Sequence, residues 1–101
     1  MPYEQHYMVD FTLPKVLSEE FLQLIPMQRN RANKLFREGK LVNFAVAIDN
    51  SKMWAVLNAS SLDEVEVILQ ELPLTRLMRY KVSCLTMFSA ADSGSPAFSL
   101  N

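Results

Sequence analysis

The chain has 101 residues and a mass of 11.6 kDa, which suits one compact domain, because two cores of half that length would each be too small to be stable. Half of the residues are hydrophobic and 21% are charged, a composition that favours a folded core over intrinsic disorder. Ten basic and eleven acidic side chains leave a formal charge of -1. No overall positive field therefore exists to attract nucleic acid or an anionic membrane, and we expect neither partner.

Location and cofactors follow from the same composition. The longest uninterrupted apolar run, residues 44–48, is far shorter than the roughly 20 residues of a membrane span. The first residues lack the basic and apolar parts of a secretion signal, and a single cysteine, Cys84, fits a reducing compartment. We expect a cytoplasmic protein without metal or nucleotide cofactor, since one His and one Cys give no zinc spacing and Gly39 and Gly94 form no phosphate-binding loop.

Residues 3–13 predict the first strand. Their odd positions are mostly apolar and their even positions mostly polar, which is the alternation of a strand with two unlike faces. Pro14 ends this strand because proline cannot donate to a sheet ladder. Ser18, with Glu19 and Glu20 behind it, is typical of a helix N-cap.

The helical segment after Ser18 is predicted to stop at Gly39. Its apolar face is formed by Phe21, Leu22, Ile25, Ala32, Leu35 and Phe36. Pro26 lies inside the segment, where it removes a backbone hydrogen bond and costs about 3 kcal/mol. We therefore predict a break, with one short helix ending near Leu24 and a second helix that has Pro26 in its first turn.

The second half of the chain predicts a hairpin, a helix and a strand. Residues 41–48 and 52–59 are strands joined by a turn of Asp, Asn and Ser at residues 49–51. Ser60 and Ser61 cap the second helix, which ends before Pro73. Residues 79–88 form the fourth strand, with Tyr80, Val82 and Cys84 on one face and Lys81 and Ser83 on the other.

The order strand, helix, strand, strand, helix, strand predicts an α+β, ferredoxin-like βαββαβ fold, a four-stranded antiparallel sheet with both helices on one face. The hairpin alternation places Phe44 on one face and Ala45, Ala55 and Leu57 on the other, so the second face also needs a cover. A second copy of the sheet is the simplest cover, which predicts a homodimer, a dimeric α+β barrel.

One domain is expected over residues 1–88, followed by a C-terminal tail over residues 89–101. The tail is rich in small and turn-forming residues before Phe98 and Leu100. We predict that it is flexible. The alternative is a tail that packs across the partner subunit.

His6 is the candidate catalytic residue, because imidazole is the side chain that ordinarily changes charge near neutral pH. It lies on the polar face of the first strand in line with Asp10. If this face lines a cavity between two sheets, His6 can move protons while Asp10 and other polar side chains orient a small organic substrate. The candidate binding residues are Met8, Asn43, Asn58, Lys81 and Ser83. The alternative is a structural or exposed histidine.

Three other features favour ordinary structural roles. The basic residues Arg29, Arg31, Lys34, Arg37 and Lys40 fit a solvated helix face better than an anion site. Trp54 is typical of a core or interface residue rather than a stacking platform. Cys84 is interpreted as a small hydrophobe, since no second histidine is available to activate it.

The chain resembles the muconolactone isomerase family of dimeric α+β barrels from residue 7 to about residue 88. The matching pieces are a first strand with a His before a Leu-Pro end, a helix exit and a Leu-Pro-Leu run with apolar residues after it. In this sequence they are His6, Leu13 and Pro14; Arg37, Glu38, Gly39 and Lys40; and Leu72, Pro73 and Leu74 with Met78, Val82 and Leu85.

The resemblance implies the fold predicted above, a sheet-on-sheet dimer or a larger ring-like assembly such as a decamer, and cofactor-free proton transfer on an unsaturated lactone. Those isomerases have a strand rich in Trp, Arg and His directly after the Arg-Glu-Gly turn, where residues 41–46 of this chain are apolar except for Asn43. Gln28 also replaces an acidic position of the long helix. The resemblance therefore carries over only His6 among the polar groups and implies a more apolar cavity.

Two functions remain open at this point. One is a cofactor-free isomerase, with His6 as proton shuttle and Asp10 and Asn43 as positioning groups. The other is a non-catalytic ligand-binding or scaffold barrel in which His6 is dispensable.

Overall fold

The computed structural model describes residues 4–90 and contains the predicted order of strands and helices. The strands are β1 (Gln5–Thr12), β2 (Leu41–Ala47), β3 (Lys52–Ala59) and β4 (Arg79–Cys84), and the helices are α1 (Glu19–Arg37) and α2 (Leu62–Gln70). Short 3₁₀ turns cover Ile48–Asn50 and Thr75–Leu77. All strand pairs are antiparallel in the order β2-β3-β1-β4, which confirms the ferredoxin-like α+β fold. No helix within residues 4–90 is long and apolar enough to cross a membrane.

The core lies between the sheet and the two helices. Val9 of β1 and Leu57 of the adjacent strand β3 are fully buried there, together with Leu35 of α1 and with Val65 and Leu69 of α2. The alternation predicted for β1 is observed, because Tyr7, Val9 and Phe11 are buried whereas the even positions between them are only half-buried. One sheet face thus supplies the core, and its other face is free for a different role.

The register of the hairpin corrects one prediction about these faces. Phe44 lies directly opposite Ala55, and Leu41 lies opposite Leu57, so Ala55 and Leu57 share the helix-covered face with Phe44 rather than facing away from it. The pairing register across the turn, which counting along each strand alone does not give, sets these faces. A register shift between Leu41 and Asn43 also places one extra residue in β2, so Leu41 lies on the helix-covered face although Asn43 lies on the other.

Pro26 does not break α1, so the predicted two-helix arrangement is wrong. The helix runs unbroken from Glu19 to Arg37 with Pro26 inside it. Pro26 and the preceding-turn residue Leu22 are both exposed, so water can satisfy the Leu22 carbonyl that loses its partner. Burial of Phe21 before the proline and of Leu35 after it stabilises one continuous helix.

The ends of α1 are fixed by local hydrogen bonds. Ser18 Oγ accepts a hydrogen bond from Phe21 N at 3.1 Å, which confirms the predicted N-cap. At the other end Gly39 has a φ of +76°, and Lys40 N donates to Leu35 O at 2.9 Å. This Schellman arrangement needs a left-handed residue, which glycine adopts without steric cost, and it turns the chain directly into β2.

Truncation of Leu35 to Ala is expected to lower the free energy of unfolding by about 2–5 kcal/mol, because a fully buried side chain leaves a cavity. Leu22→Ala on the same helix is the matched control. Since Leu22 is 50% exposed, its loss should change stability by about 0.5 kcal/mol or less. Urea denaturation measures both values, and equal losses would contradict the observed orientation of α1.

A second prediction concerns the start of α2. Glu64 Oε1 accepts hydrogen bonds from Ser60 N at 2.7 Å and Ser60 Oγ at 2.8 Å, and these bonds hold the pKa of Glu64 below its ordinary value of 4.5. A lowered folded-state pKa means that the stabilisation is full above the unfolded-state pKa and is lost as the pH falls through the folded-state value. Solvent screening limits it to about a few tenths of a kcal/mol. Urea denaturation at pH 7 and pH 3 should show a smaller pH-dependent loss for Glu64→Gln than for the wild type, and an equal loss would contradict the assignment.

Candidate functional site

The sheet face that carries no helix contains all the predicted site residues, and we call it the open face. Strand register defines it, because directly paired residues point to the same side of a sheet. Its members are His6, Met8, Asp10 and Thr12 of β1, Asn43, Ala45 and Ala47 of β2, Lys52, Trp54, Val56 and Asn58 of β3, and Arg79, Lys81 and Ser83 of β4.

The candidate residues fall into two groups along the strands. Met8 is paired with Ser83 on one side and with Val56 on the other, and Val56 is in turn paired with Asn43. His6 and Asn58 form the neighbouring row. The structure therefore brings five of the candidates (His6, Met8, Asn43, Asn58 and Ser83) into two adjacent rows.

Asp10 and Lys81 form the second group, since they are paired with each other further along β1. Asp10 lies four positions along the extended strand from His6, which places their Cα atoms about 13 Å apart. The two side chains therefore share a face but make no direct hydrogen bond.

Asp10 instead forms an ion pair with Lys52. Lys52 Nζ lies 2.6 Å from Asp10 Oδ1 and also donates to Thr12 Oγ1 at 3.3 Å. Around them is a shallow depression of about 240 Å³, which adds Arg79, Tyr80 and Lys81 to these three residues. Three cations and one carboxylate give this end of the open face a formal charge of +2.

His6 is enclosed by its own chain. Its ring lies 4.7 Å from the ring of Phe88, measured between centroids, at an interplanar angle of 31°. The His6 carbonyl accepts a hydrogen bond from Leu85 N at 2.9 Å, so the segment after β4 runs back along β1. His6 is half-buried, a position that restricts its motion and still leaves it accessible.

Val56 shows that the open face already excludes water near its centre. It is only 2% exposed although it lies outside the core cluster between sheet and helices. Ala45, by contrast, lies exposed at the β2 edge of the same face. Met8 and Val56, at the centre of their row, thus form an apolar floor next to the row that contains His6.

A larger cavity lies on the opposite side of the sheet, under α1. Its volume is about 360 Å³, and its walls come from β1, α1, β2, β3 and the segment after α2. None of the seven predicted site residues lines it. Sequence reasoning placed the ligand cavity on the other face and so missed this one. The available signal was the pair of small residues Ala32 and Ala55, which leave space between α1 and the sheet.

The structure also settles the surroundings of Cys84 and of the basic helix face. Cys84 is exposed, and its Sγ donates to Gln5 Oε1 at 3.1 Å. This side chain, interpreted from the sequence as a small hydrophobe, is exposed because it lies on the edge strand β4. Lys34 forms ion pairs with Glu38 at 3.7 Å and Glu71 at 3.9 Å. Arg29 differs from the other basic residues of α1 because it lines the cavity.

No group of three or more His, Cys, Asp or Glu side chains within residues 4–90 is arranged to hold a metal ion. The polar groups of the open face suit a different use. A half-buried imidazole beside amide and hydroxyl groups can accept a proton and stabilise charge on a small organic molecule. That capability depends on water being excluded from the face.

Comparison with known proteins identifies the family. The sequence model for muconolactone delta-isomerase matches residues 3–91. Among solved structures, a crystal structure of muconolactone isomerase superposes with a TM-score of 0.67 at 22% sequence identity, covering 87% of this chain and 99% of that one. At that identity the structural likeness shows the fold alone. A search among curated proteins found no match. The family match spans nearly the whole sequence, and the chain belongs to the muconolactone delta-isomerase family.

Proposed function

We propose that the protein is a cofactor-independent isomerase that moves a proton on a small unsaturated lactone or a related organic molecule. Family membership supports the reaction class. The observation that carries the proposal is the position of His6, half-buried against Phe88 on the open face. Met8, Asn43, Asn58 and Ser83 share its two rows and are the proposed binding groups, with Asp10 and Lys81 at the far end of the face.

The chemistry requires one titrating group. The neutral imidazole of His6 takes a proton from a carbon next to the lactone carbonyl, and the electrons of the broken C–H bond move onto the carbonyl oxygen. The imidazolium then returns the proton to another carbon of the conjugated system as the electrons move back. Asn58 and Ser83 can donate hydrogen bonds to the oxygen while it carries negative charge. The product has the same atoms and the same charge as the substrate, and His6 returns to its neutral form.

A second copy of the chain is the proposed cover of the open face. Ala45, Trp54 and Val56 lie in neighbouring positions of β2 and β3 and offer apolar surface to another sheet. Sheet-on-sheet packing would exclude water from His6 and complete a closed cavity. We propose a homodimer, or a larger homo-oligomer built from it, in the cytoplasm. The single cysteine of the chain supports the reducing compartment.

One observation favours a non-catalytic ligand-binding or scaffold barrel instead. Asp10, the carboxylate predicted to position the substrate, forms an ion pair with Lys52 at 2.6 Å and lies about 13 Å along the strand from His6. A histidine without an orienting carboxylate can be purely structural. The two functions differ in what the loss of His6 does.

His6→Ala is expected to lower kcat for muconolactone by about 100-fold or more, the usual contribution of a positioned acid–base group. Ultraviolet-monitored turnover measures it, with sedimentation velocity to confirm an unchanged oligomer. Gln5→Ala is the control, since Gln5 neighbours His6 but lies on the other face of β1. If the kcat of His6→Ala equals that of the wild type, His6 takes no part in the reaction. A wild type that binds muconolactone without converting it would instead support the scaffold alternative.

Ala45→Lys is expected to convert the dimer into a monomer, because an ammonium group buried between two sheets loses its hydration. Sedimentation velocity measures the change. Val67→Lys is the matched control, because Val67 is 58% exposed on α2, in the helix layer. Dissociation by Val67→Lys alone would contradict the sheet-on-sheet arrangement and place the interface on the helices.

A further inference from the structure

We propose that the cationic end of the open face is a second ligand site, separate from the proposed reaction, that binds a phosphate group. The site is the depression of about 240 Å³ that is lined by Asp10, Thr12, Lys52, Arg79, Tyr80 and Lys81. Thr12 lies six positions along β1 from His6, which places their Cα atoms about 20 Å apart. A small lactone bound at His6 therefore does not reach this depression, and the two sites can be tested independently.

One row across three strands places two cations on either side of a hydroxyl group. Thr12 of β1 is paired with Lys52 of β3 and with Arg79 of β4, and directly paired residues point to the same side of a sheet. Neighbouring strands lie about 4.8 Å apart, so the Cα atoms of Lys52 and Arg79 are about 10 Å apart. The long side chains of both residues can reach an anion that lies above Thr12.

The charges of this end favour an anion with two negative charges. Lys52 is neutralised by Asp10, whose Oδ1 lies 2.6 Å from Lys52 Nζ. Arg79 and Lys81 are exposed, and none of the carboxylates described in residues 4–90 lies within 4.0 Å of either cation. These two cations match the charge of a phosphate group, which is about −1.5 to −2 at pH 7.

The hydrogen-bond donors of this end suit phosphate oxygens. The guanidinium of Arg79 can donate two parallel hydrogen bonds to a phosphate group, and the ammonium of Lys81 supplies a point charge beside it. Thr12 Oγ1 accepts a hydrogen bond from Lys52 Nζ at 3.3 Å, so its own O–H remains a donor. None of the side-chain hydrogen bonds described for residues 4–90 uses the donors of Thr12, Arg79 or Lys81.

Trp54 reports where a phosphate group binds. It is the only tryptophan and is paired with Asp10, in the row next to that of Thr12. Titration with sodium phosphate at pH 7 and constant ionic strength should change its fluorescence saturably below about 10 mM, with a saturable heat in calorimetry. The same curves are expected in His6→Ala, whatever the outcome for turnover. Absence of saturable changes in both measurements would overturn the proposal.

Charge variants with opposite expected effects test the contacts. Arg79→Gln should weaken phosphate binding by about fivefold, the upper range for a solvent-accessible ion pair. Asp10→Asn should strengthen it by a similar factor, because the variant removes the carboxylate from the depression. Arg31→Gln is the control, since it removes the same charge from an exposed residue of α1, in the helix layer.

Two outcomes of this series would contradict a specific phosphate site. Equal weakening by Arg79→Gln and Arg31→Gln would show that phosphate responds only to the overall charge of the protein. Weaker binding by Asp10→Asn would show that the Asp10 carboxylate does not oppose the bound anion.

Phenyl phosphate distinguishes the free ion from the phosphate group of a larger molecule. Tighter binding of phenyl phosphate than of inorganic phosphate supports a phosphomonoester as the ligand, and equal binding supports the free ion. In both cases Arg79→Gln should weaken the binding. Binding of either probe that is unchanged in Arg79→Gln would contradict the site.

An acidic surface of a second copy of the chain is the competing occupant of these cations. Sedimentation velocity with saturating phosphate separates the two cases. An unchanged oligomer supports the phosphate site. Dissociation of the oligomer by phosphate would show that the cations contact another subunit and would overturn the proposal.

Discussion

The two-faced alternation of β1 is the constraint on which the rest of the structure depends. β1 is a central strand, paired with β3 on one side and β4 on the other, so its odd and even positions set the character of both sheet faces. Val9 is fully buried on the helix side, while its neighbour Asp10 carries charge on the other. A shift of register by one residue would place His6 and Asp10 in the core and the core residues in solvent.

The separation of the two faces also separates two kinds of chemistry. Under the helices the space left between α1 and the sheet is apolar, and its only cation is Arg29 at the rim. On the open face the side chains around His6 can accept, donate and hold a proton. One sheet thus presents a polar surface around His6, where we propose proton transfer, and an apolar cavity on its other face, and none of the candidate residues lines both.

Much of the fold was predictable because it depends on local signals. Ser18 and Gly39 bound α1 as expected, and the faces of β1 and β4 follow from simple alternation. The failures have non-local causes. Whether Pro26 ends the helix depends on burial on either side of it. The faces of Ala55 and Leu57 relative to Phe44 depend on the pairing register between β2 and β3.

The candidate site was predictable in part for the same reason. Counting along β1 and β4 placed His6, Met8, Lys81 and Ser83 on one face. The ion pair between Asp10 and Lys52 joins two strands, and spacing along one strand does not predict it. The cavity under α1 was missed because its volume depends on how far the helix stands from the sheet. The small residues Ala32 and Ala55 leave that space, but their separation along the chain does not show that they face each other.

The central claim is that a second sheet encloses the open face, and Trp54 reports on it directly. Trp54 is the only tryptophan, is half-buried in the single chain and lies between Asp10 and Ala45 on the open face. Acrylamide quenching of its fluorescence should be weak in protein that sediments as a dimer and should rise on dilution to the monomer. A dimer whose Trp54 is quenched as readily as in the Ala45→Lys variant would contradict the account.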